Sequence, residues 1–260
     1  NNNSPKLIFK KKYISSDWSS FELILEDFLK KECKNITHPS TACFAVAGPL
    51  SKNNAKIINL SWNISGNALQ NTFNFKSCEL INDFAVQIYG IPFLKKNQYS
   101  IIQNGSDSEG SNNDLHAIVG AGTGLGIARG IISGEKVKVL ASEGGHVEYS
   151  PKSKLEWDLK MWLKNYLKVE RISCERIISG TGLSRIAEWR LSKPDAQNHP
   201  LQQYLKKIKT SDAGRKELPE KICNLSKEGD QIMIEVEKIW LGTYASLLGD
   251  VALQELCFGG

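Results

Sequence analysis

GAGTGLGIARGII, residues 120–132, is the stretch on which the fold turns. An apolar run, Ala117 to Val119, leads into alternating glycines at 120, 122, 124 and 126. A dinucleotide-binding turn needs glycines at the first, third and sixth places, with a helix after them. From Gly120 the sixth place is Leu125, and from Gly122 it is Ile127, so neither frame fits. The Gly-Lys-Ser/Thr ending of a P-loop is missing too. After the turn, GIARGII (126–132) is apolar and strand-like rather than helical. The stretch therefore reads as a β-hairpin whose turn presents main-chain N–H groups and the Thr123 hydroxyl. Without Cβ atoms such a turn can approach a bulky anion, and a concavity of amides binds phosphate oxygens. A plain glycine-rich hairpin has the same local pattern, so the rest of the chain must decide.

Val137 to Leu140 continues the hairpin as a third strand after Ser133-Gly134. On the N-terminal side, strands are predicted at Leu7 to Ile14, Ala42 to Ala47, Ala55 to Leu60 and Cys78 to Ile81. Between them the helical spacing of Phe21, Ile24, Leu25 and Phe28, capped by Ser16 or Asp17, predicts one helix. Further helices are expected over Gly66 to Phe73 and Phe84 to Tyr89, the latter stopped by Gly90 and Pro92. Alternation of this kind argues for a mixed α/β sheet. The polar segment Gln103 to Asp114 is expected to be a surface loop. Beyond the hairpin, Lys154 to Tyr166 has amphipathic helical spacing, and Asp230 to Leu256 predicts a long helix broken near Gly249. A boundary near Leu94 would divide the chain into a smaller unit, 1–94, and a larger one, 95–260.

Bulk properties exclude several classes. With 260 residues, 41% hydrophobic and 23% charged, the chain can bury real cores. The formal net charge of +5 is carried mostly by lysines in short runs without interleaved aromatics, which argues against nucleic acid as a partner. No apolar run approaches 18 residues, so neither a membrane span nor a signal peptide is expected. Six cysteines at 33, 43, 78, 174, 223 and 257 contain no C-x-x-C pair. They signal neither zinc nor a redox motif, and unpaired thiols point to the cytoplasm.

Three further places carry candidate chemistry. Asp83 stands where a predicted strand ends, a usual position for functional groups in α/β sheets, although an aspartate there is more often a helix N-cap. Asn82 beside it fits a turn residue equally well. In Glu143-Gly144-Gly145-His146 the two glycines allow a tight fold, so that an acid and an imidazole can face one small ligand with vicinal hydroxyls. A metal site would need further ligands, and no second His or Cys is near. In ERIISGTGL, residues 175–183, Glu175 precedes a second glycine-bearing turn at Ser179 to Gly182. Taken singly, each of these has a purely structural explanation.

Taken together they do not. In order along the chain stand CFAVAGPL (43–50), NLSW (59–62), ELINDFAVQIYGIP (79–92), GAGTGLG (120–126), SEGGHVEYSP (142–151) and ERIISGTGL (175–183). The set resembles the bacterial glucokinase family, typified by enterobacterial and cyanobacterial enzymes, over about Leu7 to Gly260. The resemblance implies an actin-like, ribonuclease-H-like α/β kinase fold of two domains with an inter-domain cleft. It implies ATP-dependent transfer of a phosphoryl group to glucose in glycolysis, with Mg²⁺ accompanying ATP, and a homodimer. By the same resemblance Asp83 is the catalytic base, and Asn82, Glu143, His146 and Glu175 hold the sugar. Gly122, Thr123 and Gly124 would contact ATP phosphates, and the Ser179-Gly180 turn would lie near the nucleotide. The related repressor–ORF–kinase group carries a cysteine-rich zinc motif that is missing here, so no structural zinc is expected. The family's opening D-x-G-G-T phosphate loop and its segment beyond the last glycine pair are not in this sequence. It therefore reads as a piece of a longer protein whose activity in isolation is in doubt. A non-catalytic sugar-binding regulator and a kinase for another hexose are the alternatives.

Overall fold

A computed structural model of the chain describes residues 6–48, 50–57, 60–105, 115–134, 136–208 and 212–257. Most of the predicted polar loop at 103–114 lies outside them, as do Pro49, Asn59 and the final glycine pair. The chain forms two compact units, Asn1–Ile101 and Ile102–Gly260.

In the first unit, helix α1 (Phe21–Lys31) starts after Ser20 rather than at Ser16 or Asp17, which lie in a short 3-10 turn. Strand β1 (Thr41–Val46) is followed by three short antiparallel strands, β2 (Leu50–Ser51), β3 (Asn54–Ile57) and β4 (Trp62–Ser65). Helix α2 (Gly66–Thr72) begins at Ser65, whose hydroxyl accepts from the Ala68 N–H, and β5 (Ser77–Asn82) then pairs parallel with β1. Parallel pairing needs a crossover, and here β2 to α2 supply it. Leu25, Val46, Trp62, Ile64, Leu69 and Phe75 close the core, and Phe21 meets Phe44 edge-on at 5.0 Å.

Leu7 to Ile14 is not a strand. Leu7 and Ile8 are exposed, and the segment is held by side chains instead: Lys11 pairs with Glu32 at 2.8 Å, and the Tyr13 hydroxyl donates to Asp27 at 3.0 Å. An apolar run becomes a strand only when another strand lies beside it. Among the described residues, β1 pairs only with β5. The expected helix at Phe84 to Tyr89 is a set of turns followed by one helical turn, α3 (Gln87–Gly90), and Leu60 lies outside the strand expected to contain it.

The second unit is built on an antiparallel meander of β6 (Leu115–Ala121), β7 (Leu125–Ser133) and β8 (Lys136–Ser142). The register places Gly120 opposite Gly126 and Ala121 opposite Leu125, so residues 122–124 form the turn that the glycine pattern predicts. Among the described residues five α-helices complete it: α4 (Lys154–Leu167), α5 (Gly180–Leu191), α6 (Leu201–Ile208), α7 (Asp212–Lys227) and α8 (Gln231–Glu255). Helix α8 runs through Gly249 without the expected break, because Thr243, Leu247 and Val251 seat it on the core on both sides of that glycine. Such burial outweighs the roughly 1 kcal/mol that an interior glycine costs a helix. Ile177, Ile178, Ile186, Leu218 and Met233 are completely buried at the centre of this unit.

Candidate active site

The end of β5 is where the first unit offers chemistry. Asn82, not Asp83, makes the cap: its Oδ1 accepts from the N–H groups of Phe84 at 3.0 Å and Ala85 at 2.9 Å. Its amide nitrogen donates to the Gly48 carbonyl at 3.5 Å. Asp83 is held by its backbone, whose N–H donates to the Val46 carbonyl at 3.0 Å. Its carboxylate is exposed and makes no hydrogen bond or ion pair among the described residues. The division of labour leaves an oriented residue with an uncommitted acid.

In the second unit the hairpin turn, the Glu143–His146 turn and the start of α5 come together. Gly122 N–H donates to the Gly124 carbonyl across the turn, and Gly180 N–H donates to the Gly122 carbonyl, both at 2.8 Å. The Thr181 hydroxyl reaches the Thr123 carbonyl at 3.5 Å. Ser179, in extended backbone, caps α5: its Oγ accepts from Gly182 N–H at 3.0 Å and donates to the Glu175 carbonyl at 2.7 Å. The Ser179 carbonyl in turn accepts from the Trp240 indole of α8 at 3.1 Å. Gly182 allows the turn to close, because a Cβ there would stand 1.9 Å from the Ile177 carbonyl oxygen.

Residues Gly144–His146 form a single 3-10 turn in which His146 N–H donates to the Glu143 carbonyl at 2.9 Å. Its buried Gly145 lies against the hairpin, where a Cβ would come within 2.2 Å of the Leu125 carbonyl oxygen. Arg171 donates to the His146 carbonyl at 2.9 Å and steadies the far end. The imidazole thus stands between two carboxylates, Nε2 at 3.6 Å from Glu143 Oε2 and Nδ1 at 4.0 Å from Glu175 Oε1. Those separations are too long for direct hydrogen bonds and leave the groups free to serve a ligand. Two acceptor carboxylates around one imidazole suit vicinal hydroxyls. No group of three or more His, Cys, Asp or Glu among the described residues could hold a metal ion.

Glu175 also touches the hairpin, because its Oε2 accepts from the Leu125 N–H at 3.1 Å. On the other side of the turn opens a cavity of about 590 Å³, walled by Gly122, Thr123, Gly180, Thr181, Ser184, Arg185, Glu188 and Pro219. Thr181, Ser184, Arg185 and Glu188 stand at i, i+3, i+4 and i+7, one polar stripe on α5. The stripe is absent from the residues that the sequence motifs single out, although a helical period after ERIISGTGL carries it. A second cavity of about 410 Å³ borders Ser142 and Gly144 but contains none of the predicted sugar or nucleotide residues.

Of the predicted site residues, Glu143, His146, Glu175, Gly122, Thr123, Gly124, Ser179 and Gly180 therefore share one region of the second unit, while Asn82 and Asp83 belong to the first.

Comparison with known proteins gives a consistent answer. A family model described as Glucokinase matches residues 1–260. The glucokinase of Synechocystis sp. is 33% identical over 266 residues, covering 98% of this chain and 74% of that protein. That of Nostoc punctiforme is also 33% identical, over 97% of this chain and 74% of its own length. Among solved structures, a glucokinase from an Antarctic psychrotroph superposes with a TM-score of 0.73 at 28% identity, over 95% of this chain and 70% of its own. The glucose complex of Balamuthia mandrillaris glucokinase, at 18% identity and a TM-score of 0.61, shares the fold over 90% of this chain and 65% of its own.

Proposed function

The chain belongs to the glucokinase family, and from that premise we propose that it transfers the terminal phosphoryl group of MgATP to the primary hydroxyl of glucose, giving glucose 6-phosphate and ADP. The observation that carries this reading is the seating of Glu143, His146 and Glu175 against the hairpin turn whose other side opens into the cavity of about 590 Å³. A polyol site and an anion site share one turn.

Glu143, His146 and Glu175 orient the sugar ring through its hydroxyls. Asn82 adds a donor from its amide nitrogen, because its oxygen is already engaged as a cap. Thr123, the turn around Gly122 and Gly124, and the Ser179-Gly180 start of α5 hold the triphosphate of the MgATP substrate. The nucleoside occupies the cavity along α5. Asp83 accepts the proton of the attacking hydroxyl as oxygen bonds to phosphorus and ADP leaves. Phosphoryl transfer relies mainly on such positioning and charge stabilisation, and a placed general base contributes roughly 10²- to 10⁴-fold. The two units take the parts of the small and large kinase domains. The six cysteines are free thiols, which suits a cytoplasmic enzyme feeding glycolysis. No helix among the described residues is long and apolar enough to cross a membrane.

An ADP-release assay against a panel of hexoses tests the proposal. Glucose is expected to give the highest kcat/KM. A panel in which mannose or an N-acetylated amino sugar exceeds glucose would reassign the substrate, and ADP release indifferent to every hexose would remove the kinase reading.

A further inference from the structure

Gly124 has no backbone reason to be glycine. Among the described residues the glycines with left-handed torsions are Gly48, Gly134 and Gly229, and Gly124 is not one of them. Its missing Cβ makes room for a neighbouring side chain. A methyl there would lie 2.6 Å from Glu175 Oε2, 3.3 Å from its Cδ and 4.0 Å from its Cγ, its three nearest neighbours. At Gly122, two residues earlier in the same turn, a methyl would meet nothing within 4 Å. The same carboxylate holds the turn by accepting from the Leu125 N–H at 3.1 Å, and its other oxygen faces His146 at 4.0 Å.

We propose that Gly124, a residue of the phosphate turn, is a positioning residue for the sugar, setting where the Glu175 carboxylate stands. Glu175 is a strut shared by the two substrates: one oxygen is bonded to the nucleotide turn and the other is offered to the sugar. The inference rests on the reading of Glu175 as a sugar contact. A misplacement of about 1 Å can cost about a hundredfold in rate in a preorganised site, so a shifted carboxylate is expected to loosen its hold on the sugar measurably. A methyl at 124 forces a shift, and the end of the flexible Glu175 side chain is the part that yields most easily.

The test is the affinity for glucose in the absence of nucleotide, measured by calorimetry on the enzyme and four variants, so that lost phosphate contacts do not enter. Glu175→Ala is expected to weaken glucose at least tenfold, Gly124→Ala at least fivefold, and Gly122→Ala less than twofold. The double variant Glu175→Ala with Gly124→Ala is expected to bind no worse than Glu175→Ala alone, since non-additivity marks residues that act through one another. If Glu175→Ala weakens glucose but Gly124→Ala matches Gly122→Ala, the positioning role is overturned and the sugar assignment stands. A further loss in the double variant would show the glycine acting by another route and would also overturn it. Unchanged affinity in Glu175→Ala would remove the sugar contact itself, and the inference with it.

Discussion

Asp83 sits one residue beyond β5, tied by its N–H to Val46, while its neighbour Asn82 supplies the oxygen that caps the next turn. An aspartate at a strand end is usually needed as a cap, and here that need is already met. Its exposed carboxylate is the group to which the proposed proton transfer is assigned. Asp83→Asn keeps the shape and removes the base, so glucose affinity should stay within about threefold while turnover falls at least about a hundredfold. Isothermal titration beside steady-state kinetics checks both numbers, and turnover within tenfold of the parent would take Asp83 out of the base role. At this scale the sequence shows the residue types but not their assignments. That Asn82 does the capping depends on which side chain the chain path aims at the Phe84 and Ala85 N–H groups, and spacing alone does not decide it.

The helix α5 shows how one element serves several functions. Ser179 caps it, Gly180 bonds it to the hairpin, and Thr181, Ser184, Arg185 and Glu188 form the polar wall of the cavity. The tight start depends on Gly182, where a Cβ would stand 1.9 Å from a backbone oxygen that cannot swing aside. Gly182→Ala should therefore destabilise the protein by about 1–3 kcal/mol, as overpacking does, and weaken ATP more than glucose. A chemical denaturation midpoint equal to the parent's would show that the turn adjusts without strain. Strands and helices with strong periodicity are legible in the sequence: the β6–β8 meander, α4 and α8 lie within a few residues of their expected places. Periodicity misses the elements whose existence depends on partners. β4 forms by pairing with β3, and Leu7 to Ile14, apolar enough for a strand, has none beside it to pair with among the described residues.

Across the whole chain, each unit carries its own core, one closed by Trp62 and Leu69 and the other by Ile178 and Met233. Fold class is accessible from the alternation of elements together with what the glycine hairpin is not. The grouping of Glu143, His146 and Glu175 is not accessible from spacing, since 143 and 175 are brought together by the close fit of Gly145 on Leu125 and by the bond from Leu125 to Glu175. At the level of sequence, only the family resemblance implies it. Function in this protein then comes down to whether a pyranose occupies that place. A crystal structure of the enzyme grown with glucose answers it directly. We expect sugar hydroxyls within about 3.2 Å of the side chains of Glu143, His146 and Glu175. Density for the ring elsewhere, with those three groups touching only solvent, would contradict the account.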